Sequence, residues 1–156
     1  LLSKYILDVQ PYNKEKKAVT WQTSDIRRWL NRDFYTNAFN DIEQNKIADT
    51  LVRTENNTKY GTAGGNNTED KVFLLSIWEA ETLFINNEER RTTATKYAEK
   101  AGAWTSTEGY VFWWLRSPGN YSRSAAGVDI YGWADRSSDY VDNDDDGVRP
   151  ALWLNL

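Results

Sequence analysis

The residues best equipped for chemistry in this chain are carboxylates and arginines. Asp142-Asn143-Asp144-Asp145-Asp146-Gly147 follows the first half of a calcium-binding loop, in which alternating carboxylates supply oxygen ligands. Asp142, Asp144 and Asp146 would be the ligands. The position where such a loop needs a bidentate Glu is Trp153, and Pro150 forbids the helix that should follow. A tight acidic turn is therefore favoured over a calcium site, and no metal is expected. Arg116 and Arg149 interrupt apolar segments at either side of this region. They could hold an anion, but their setting favours structural bonding to loop carbonyls or buried carboxylates.

Other chemistry is excluded by what is missing. The chain has no Cys, no His and no Met. Disulfides, thiol nucleophiles, Cys/His zinc sites and a Ser-His-Asp triad are ruled out. A carboxylate pair of glycoside-hydrolase type stays open as an alternative, because there are 23 acidic residues. No spacing singles out a pair, so a non-enzymatic protein without a cofactor is expected.

The segment 120–146 has another character. It holds seven Asp and no Glu, Lys, Gln or Met, whereas residues 1–119 hold six Asp, ten Glu and nine Lys. Tyr121, Tyr131, Trp133 and Tyr140 are spread among Ser, Asn, Asp and Gly. A long solvated loop has no use for such rings. Rigid aromatics among small adaptable polar residues are what antibody-like binding surfaces contain. Ala125, Ala126, Val128, Gly132 and Val141 read as scaffold positions. The outward, ligand-binding set is then Asn120, Tyr121, Ser122, Ser124, Asp129, Tyr131, Trp133, Asp135, Ser137, Asp139, Tyr140, Asp142 and Asn143. Tyr and Trp would be the anchors, and Asp would give the patch a negative potential suited to a basic partner.

These residues need elements to position them. Tyr5, Leu7 and Val9 alternate with Lys4 and Asp8, predicting a strand over 2–9. Thr23 or Ser24 caps a helix carrying Ile26, Trp29 and Leu30 on one face, with Asn31 as its stop and Phe34, Ala38 and Phe39 in further helical turns. Capping boxes open helices at Asn40…Glu43 and Ser76…Glu79, the second running to about Ile85. A fourth helix spans 95–101 and stops at Gly102. Strands are predicted at 50–54, 71–75, 111–115, 126–131, 138–142 and 148–154, with a loop over 55–69. Trp29, Trp78, Trp113, Trp114 and Trp153 lie on apolar faces and read as core. Helices and short strands come first and a β-rich half follows, which is one α+β domain over 1–156.

The net charge of −4 opposes a nucleic-acid partner, whose footprint would be basic. No apolar run is long enough to span a bilayer. The chain opens at Leu1 without a Met or a leader pattern, as an excised domain would. Asn56, Asn66 and Asn120 begin N-x-[ST] sequons, which mean little if the source is bacterial.

Several motifs together resemble a bacterial family of domains of unknown function. They are Trp21-Gln22-Thr23-Ser24-Asp25-Ile26-Arg27-Arg28-Trp29-Leu30-Asn31, Asp70-Lys71-Val72-Phe73-Leu74-Leu75-Ser76, Tyr97-Ala98 with Gly102, Trp113-Trp114-Leu115-Arg116-Ser117-Pro118-Gly119 and the closing Gly147–Leu154 run. The resemblance covers essentially the whole chain, although such members usually carry another strand ahead of Leu1. It implies a C-type-lectin-like fold of the kind shared with formylglycine-generating enzymes, with helices packed on short, mostly antiparallel strands. Those enzymes use cysteines, so their chemistry does not carry over. It also implies kinship with the variable proteins of diversity-generating retroelements, whose C-terminal stretch is mutagenised at template adenines. That process reaches Asn, Asp, Ser, Tyr, Gly, Arg and Ala but not Lys, Glu, Gln, Met or Trp. The segment 120–146 obeys that restriction except at Trp133. The resulting expectation is a recognition domain for a protein or glycan ligand, displayed on a cell surface, outside the cell or on a virion. The competing expectation is an assembly module of a surface or phage protein with a fixed partner.

Overall fold

In the computed structural model, which describes residues 1–155, the chain forms an α+β fold around a mixed five-stranded sheet. The strands are β1 (Asp8–Val9), β4 (Trp113–Pro118), β5 (Ser124–Val128), β6 (Ala134–Tyr140) and β7 (Gly147–Val148), in spatial order β1-β7-β4-β5-β6. All neighbours run antiparallel except β4 and β7. A separate two-stranded sheet pairs β2 (Thr50–Val52) with β3 (Thr68–Asp70).

Burial explains why β4 sits at the centre. Each residue of Trp113–Pro118 is buried, so the strand needs cover on both faces and partners on both edges. Trp113, Trp114 and Leu115 are fully enclosed, together with Trp21, Tyr12, Ile6, Leu30 and Leu74. Trp113 Nε1 is buried without a partner, but the other polar handles are bonded: Tyr12 Oη donates to the Arg116 carbonyl (2.8 Å) and Trp114 Nε1 to that of Gln10 (3.0 Å). Trp21 Nε1 donates to Asp70 Oδ2 (2.9 Å), and the same buried carboxylate accepts from Arg27 Nε (2.7 Å) and Thr68 Oγ1 (2.6 Å).

The helices start where their caps predict. Ser24 accepts from Arg27 N to begin α1 (Asp25–Trp29). Both capping boxes form, at α3 (Asp41–Gln44) and at α4 (Ile77–Thr82). Asn86 caps α5 (Asn87–Arg90), and Thr95 and Gly102 bound α6 (Lys96–Ala101). Asn31 does not stop α1. A π-helical stretch, Leu30–Phe34, carries the helix on into α2 (Tyr35–Ala38). The Asn31 amide ties its helix to the next segment: Nδ2 donates to the carbonyls of Arg27 (3.0 Å) and Val72 (2.8 Å), and Oδ1 accepts from the amides of Lys71 (2.7 Å) and Val72 (3.1 Å).

The same contacts explain why Lys71–Leu75 is not the predicted strand. It is buried, but its backbone bonds to Asn31, and to Ala151 through the single Phe73 bridge, with no continuous ladder. The strands expected over 2–9 and 148–154 shorten for a related reason. Their pairing breaks into isolated bridges, Leu2 to Ala151, Ile6 to Ala94 and Ile47 to Leu154. Two tryptophans expected in the core are outside it. Trp78 is 64% exposed and Trp153 61%, while Trp29 is half-buried. Among the described residues, no helix is long and apolar enough to cross a membrane.

Candidate functional site

β5 and β6 form a hairpin at the edge of the sheet, and the segment 120–146 is wrapped around it. The pairing Val128↔Ala134 closes one end, and Ser124↔Tyr140 sets the other. Four residues of strand, about 13 Å, separate the two ends. The aromatic side chains therefore divide into two patches.

The first patch is the hairpin tip, Asp129–Trp133. Asp129 organises it: Oδ1 accepts from the amides of Tyr131 and Trp133 (both 2.9 Å), and the Asp129 carbonyl accepts from Gly132 N (2.9 Å). Gly132 has φ +83°, and a Cβ there would overlap the Asn87 carbonyl, so only glycine fits. Two arginines from α5 and just beyond it clamp the tip. Arg90 Nε donates to the Gly132 carbonyl (2.8 Å), and Arg91 Nε to that of Ile130 (3.0 Å). Arg90 is itself buried and fixed by the Ala80 carbonyl and the Asn87 side chain. On this fixed tip Tyr131 is 65% exposed and Trp133 62%. Trp133 faces a shallow groove of about 580 Å³, shared with Glu81, the highly exposed Ile85, and Glu88.

The second patch lies at the opposite end, where the β4–β5 turn meets the end of β6. Tyr121 and Tyr140 are exposed there, with Arg123 about 6 Å from both rings, at 5.9 and 6.0 Å. Lys16 Nζ sits 3.1 Å above the Tyr140 ring, the distance of a direct cation–π contact. The loop carrying Lys16 is held by Asn13 N donating to Val141 O (2.7 Å) and Val19 N to Ser122 O (2.8 Å). This end thus carries two cations, Lys16 and Arg123, among its rings, beside Asp139 and the exposed Asp142.

The other candidate residues fall between and around these patches. Ser124 is buried, not outward. Its Oγ accepts from Tyr121 N and contacts Asn120 Oδ1, because the turn needs that hydroxyl to satisfy its own backbone. Asp135 Oδ1 accepts from Ser137 N and Oγ, and Asp139 accepts from Tyr140 N and from Asn143 Nδ2. These half-buried carboxylates spend their lone pairs locally. Ser122 and Asp142 are exposed, and Asn120 is half-buried. The scaffold positions Ala125, Ala126, Val128, Gly132 and Val141 are all buried.

The acidic run is split between surface and interior. Asp142 and Asp144 are exposed, whereas Asp146 is buried with Oδ2 unpartnered. Among the described residues, no group of three or more acidic side chains is placed to hold a metal ion. Burial, aided by the nearby Asp139 and Asp145, pushes the Asp146 carboxyl up to about 8. Arg149 donates to the Ser3 and Arg90 carbonyls and lies over the Trp113 ring, and burial lowers it to about 10.

Sequence reading missed the supports. Arg90, Arg91 and Asn57 hold the hairpin from outside the segment. Asn57, buried in what reads as an ordinary Asn-Asn-Thr loop, donates to the Pro118 and Arg136 carbonyls, both at 2.8 Å. Arg136 pairs with both oxygens of Glu81 on α4 at 2.7 Å. Only the composition of residues 86–91, a capped turn ending in two arginines, hinted at the clamp.

No curated protein and no solved structure matches the chain significantly. A family model does match, across residues 1–156, and the chain therefore belongs to the family described as Domain of unknown function (DUF6273).

Proposed function

We propose that this is a non-catalytic recognition domain with a C-type-lectin-like fold, whose surface over residues 120–146 is diversified by a retroelement to bind a protein or glycan target. One observation carries the reading. Tyr131 and Trp133 stand exposed on a hairpin tip immobilised by Asp129, Gly132, Arg90 and Arg91. Large rings held rigidly in solvent lose little further entropy when a partner covers them, which is how aromatic anchors contribute binding energy. The small residues of the same segment are inside and its rings are outside, the reverse of what burial alone would select.

Two further points support it. Much of the hairpin's framework is held by backbone groups and by Arg90, Arg91 and Asn57 from outside the segment, with the side chains of Ser124 and Asp129 as its supports from within, so the exposed rings can change without loss of the scaffold. Two enclosed carboxylates are already engaged in holding the fold, Asp70 by three donors and Glu79 by Arg116. Display on a cell surface or virion follows from the role.

The test is to sequence many copies of this locus from one population, with the flanking DNA. Substitutions should concentrate at Asn120, Tyr121, Ser122, Tyr131, Tyr140 and Asp142, with Ala125, Ala126, Val128 and Gly132 silent. A reverse transcriptase and a near-identical template repeat should lie nearby. Even drift along the chain would sink diversification and favour an assembly module with a fixed partner.

A further inference from the structure

Away from the hairpin, three exposed apolar side chains from three different elements surround one cavity. Leu51 comes from β2, Trp78 from the first turn of α4, and Trp153 from the segment after β7. Leu51 and Trp78 are each 64% exposed and Trp153 61%. The cavity measures about 360 Å³, at the lower end of the roughly 300–1,000 Å³ typical of small-ligand sites. Two tryptophans that the hydrophobic effect would normally draw into the core instead border the same opening.

The floor of the cavity is polar and locked. Arg116, almost wholly buried, donates from Nε and Nη2 to the Arg53 carbonyl (3.0 and 2.8 Å) and from Nη1 to that of Leu74 (2.8 Å). The remaining guanidinium donors meet the Glu79 carboxylate, whose Oε2 also accepts from Ser76 N. Every donor of Arg116 is spent, so the floor cannot take an anion in bidentate fashion. Arg53 and Glu55 are exposed at the mouth. The charged lining is two arginines and two glutamates, a balance that favours neither a cation nor an anion.

We propose that this cavity binds a neutral carbohydrate. A pyranose ring has an apolar C–H face that covers an aromatic face, and an equatorial belt of hydroxyls that both donate and accept. Trp78 and Trp153 offer the faces. Glu55 and Arg53 offer an acceptor and donors at the mouth, where a hydroxyl can replace water at little cost. The volume accommodates about one to two rings of a longer chain. The site shares no residue with the hairpin, so it stands or falls separately from the recognition surface.

The experiment is a titration of the 156-residue protein with neutral hexasaccharides of β-1,4-glucan, α-1,4-glucan, β-1,4-mannan and N-acetylglucosamine type, followed by calorimetry and tryptophan fluorescence. At least one should bind saturably and change the fluorescence. Trp78→Ala and Trp153→Ala should each weaken that binding at least tenfold while leaving the thermal midpoint within a few degrees. Trp133→Ala should leave it unchanged, which separates this site from the hairpin. The proposal is overturned if none of the four binds at millimolar concentration, or if binding survives both cavity substitutions. Tighter binding of an anionic hexasaccharide at the same tryptophans would also overturn it, since the neutral lining would then not be what selects.

Discussion

Asp146 carries the sharpest consequence at the scale of a single residue. Its carboxyl is buried, lacks a partner on Oδ2 and has Asp139 and Asp145 nearby, so its proton is held up to about pH 8 instead of near 3.8. The folded value lies above the unfolded one, so between these limits the folded chain keeps a proton that the unfolded chain has released. The contribution of this carboxyl to stability is therefore greatest below about pH 4 and falls as the pH rises to about 8, by up to about 1.4 kcal/mol per pH unit. Asp146→Asn should abolish that slope and stabilise the protein at pH 8 by on the order of 3 kcal/mol, measured by urea unfolding across pH. An unchanged slope would mean that the carboxyl ionises freely. At this scale the sequence spoke through residue type more than environment. Tyr131 and Trp133 could be read as exposed anchors because their neighbours are small and polar. Ser124 has the same kind of neighbours and is buried, because its hydroxyl is consumed by a turn that only the folded pairing creates.

At the scale of elements, the hairpin tip and its clamp behave as one unit. Gly132→Ala places a side chain at positive φ and into the Asn87 carbonyl, so it should cost on the order of 2–3 kcal/mol in chemical unfolding. It should also speed amide exchange at Tyr131 and Trp133, whose N–H groups are held by Asp129. Normal exchange there would show that the tip does not depend on its seat against α5. Helix starts were legible because a cap is a local device: Ser24, Asn40, Ser76 and Thr95 each bond an amide two or three residues away. Lys71–Leu75 was not, because whether a buried apolar run forms a ladder depends on its neighbours. Here one neighbour is the side chain of Asn31, 40 residues earlier. Asn31 was misjudged for the same reason.

At the scale of the molecule, α+β organisation was legible from the order of periodic segments, but sheet order was not. Nothing in Gly147-Val148 announces that it lies parallel to β4 and between β4 and β1. The division of the candidate surface was likewise invisible, since composition cannot say which residues occupy opposite ends of a hairpin. If the rings serve recognition and not packing, the triple substitution Tyr131→Ala, Trp133→Ala and Tyr140→Ala should change unfolding free energy by no more than about 1 kcal/mol. A loss of several kcal/mol would make them structural.

The interior place of β7 also bears on how the protein is made. Among the described residues β1 has no strand partner other than β7, and the amide of Ser3 bonds to Pro150, so residues 3–9 wait for residues 147–150, translated well after them. Closing so long a loop makes folding slow and postpones it until residues 147–151 have left the ribosome. A stop codon or frameshift arising anywhere in 120–146 would thus release a chain without β7, the strand that joins β1 to β4, and so expose it to proteolysis. Synthesis itself then acts as proofreading, and only copies read in frame through residue 151 can mature.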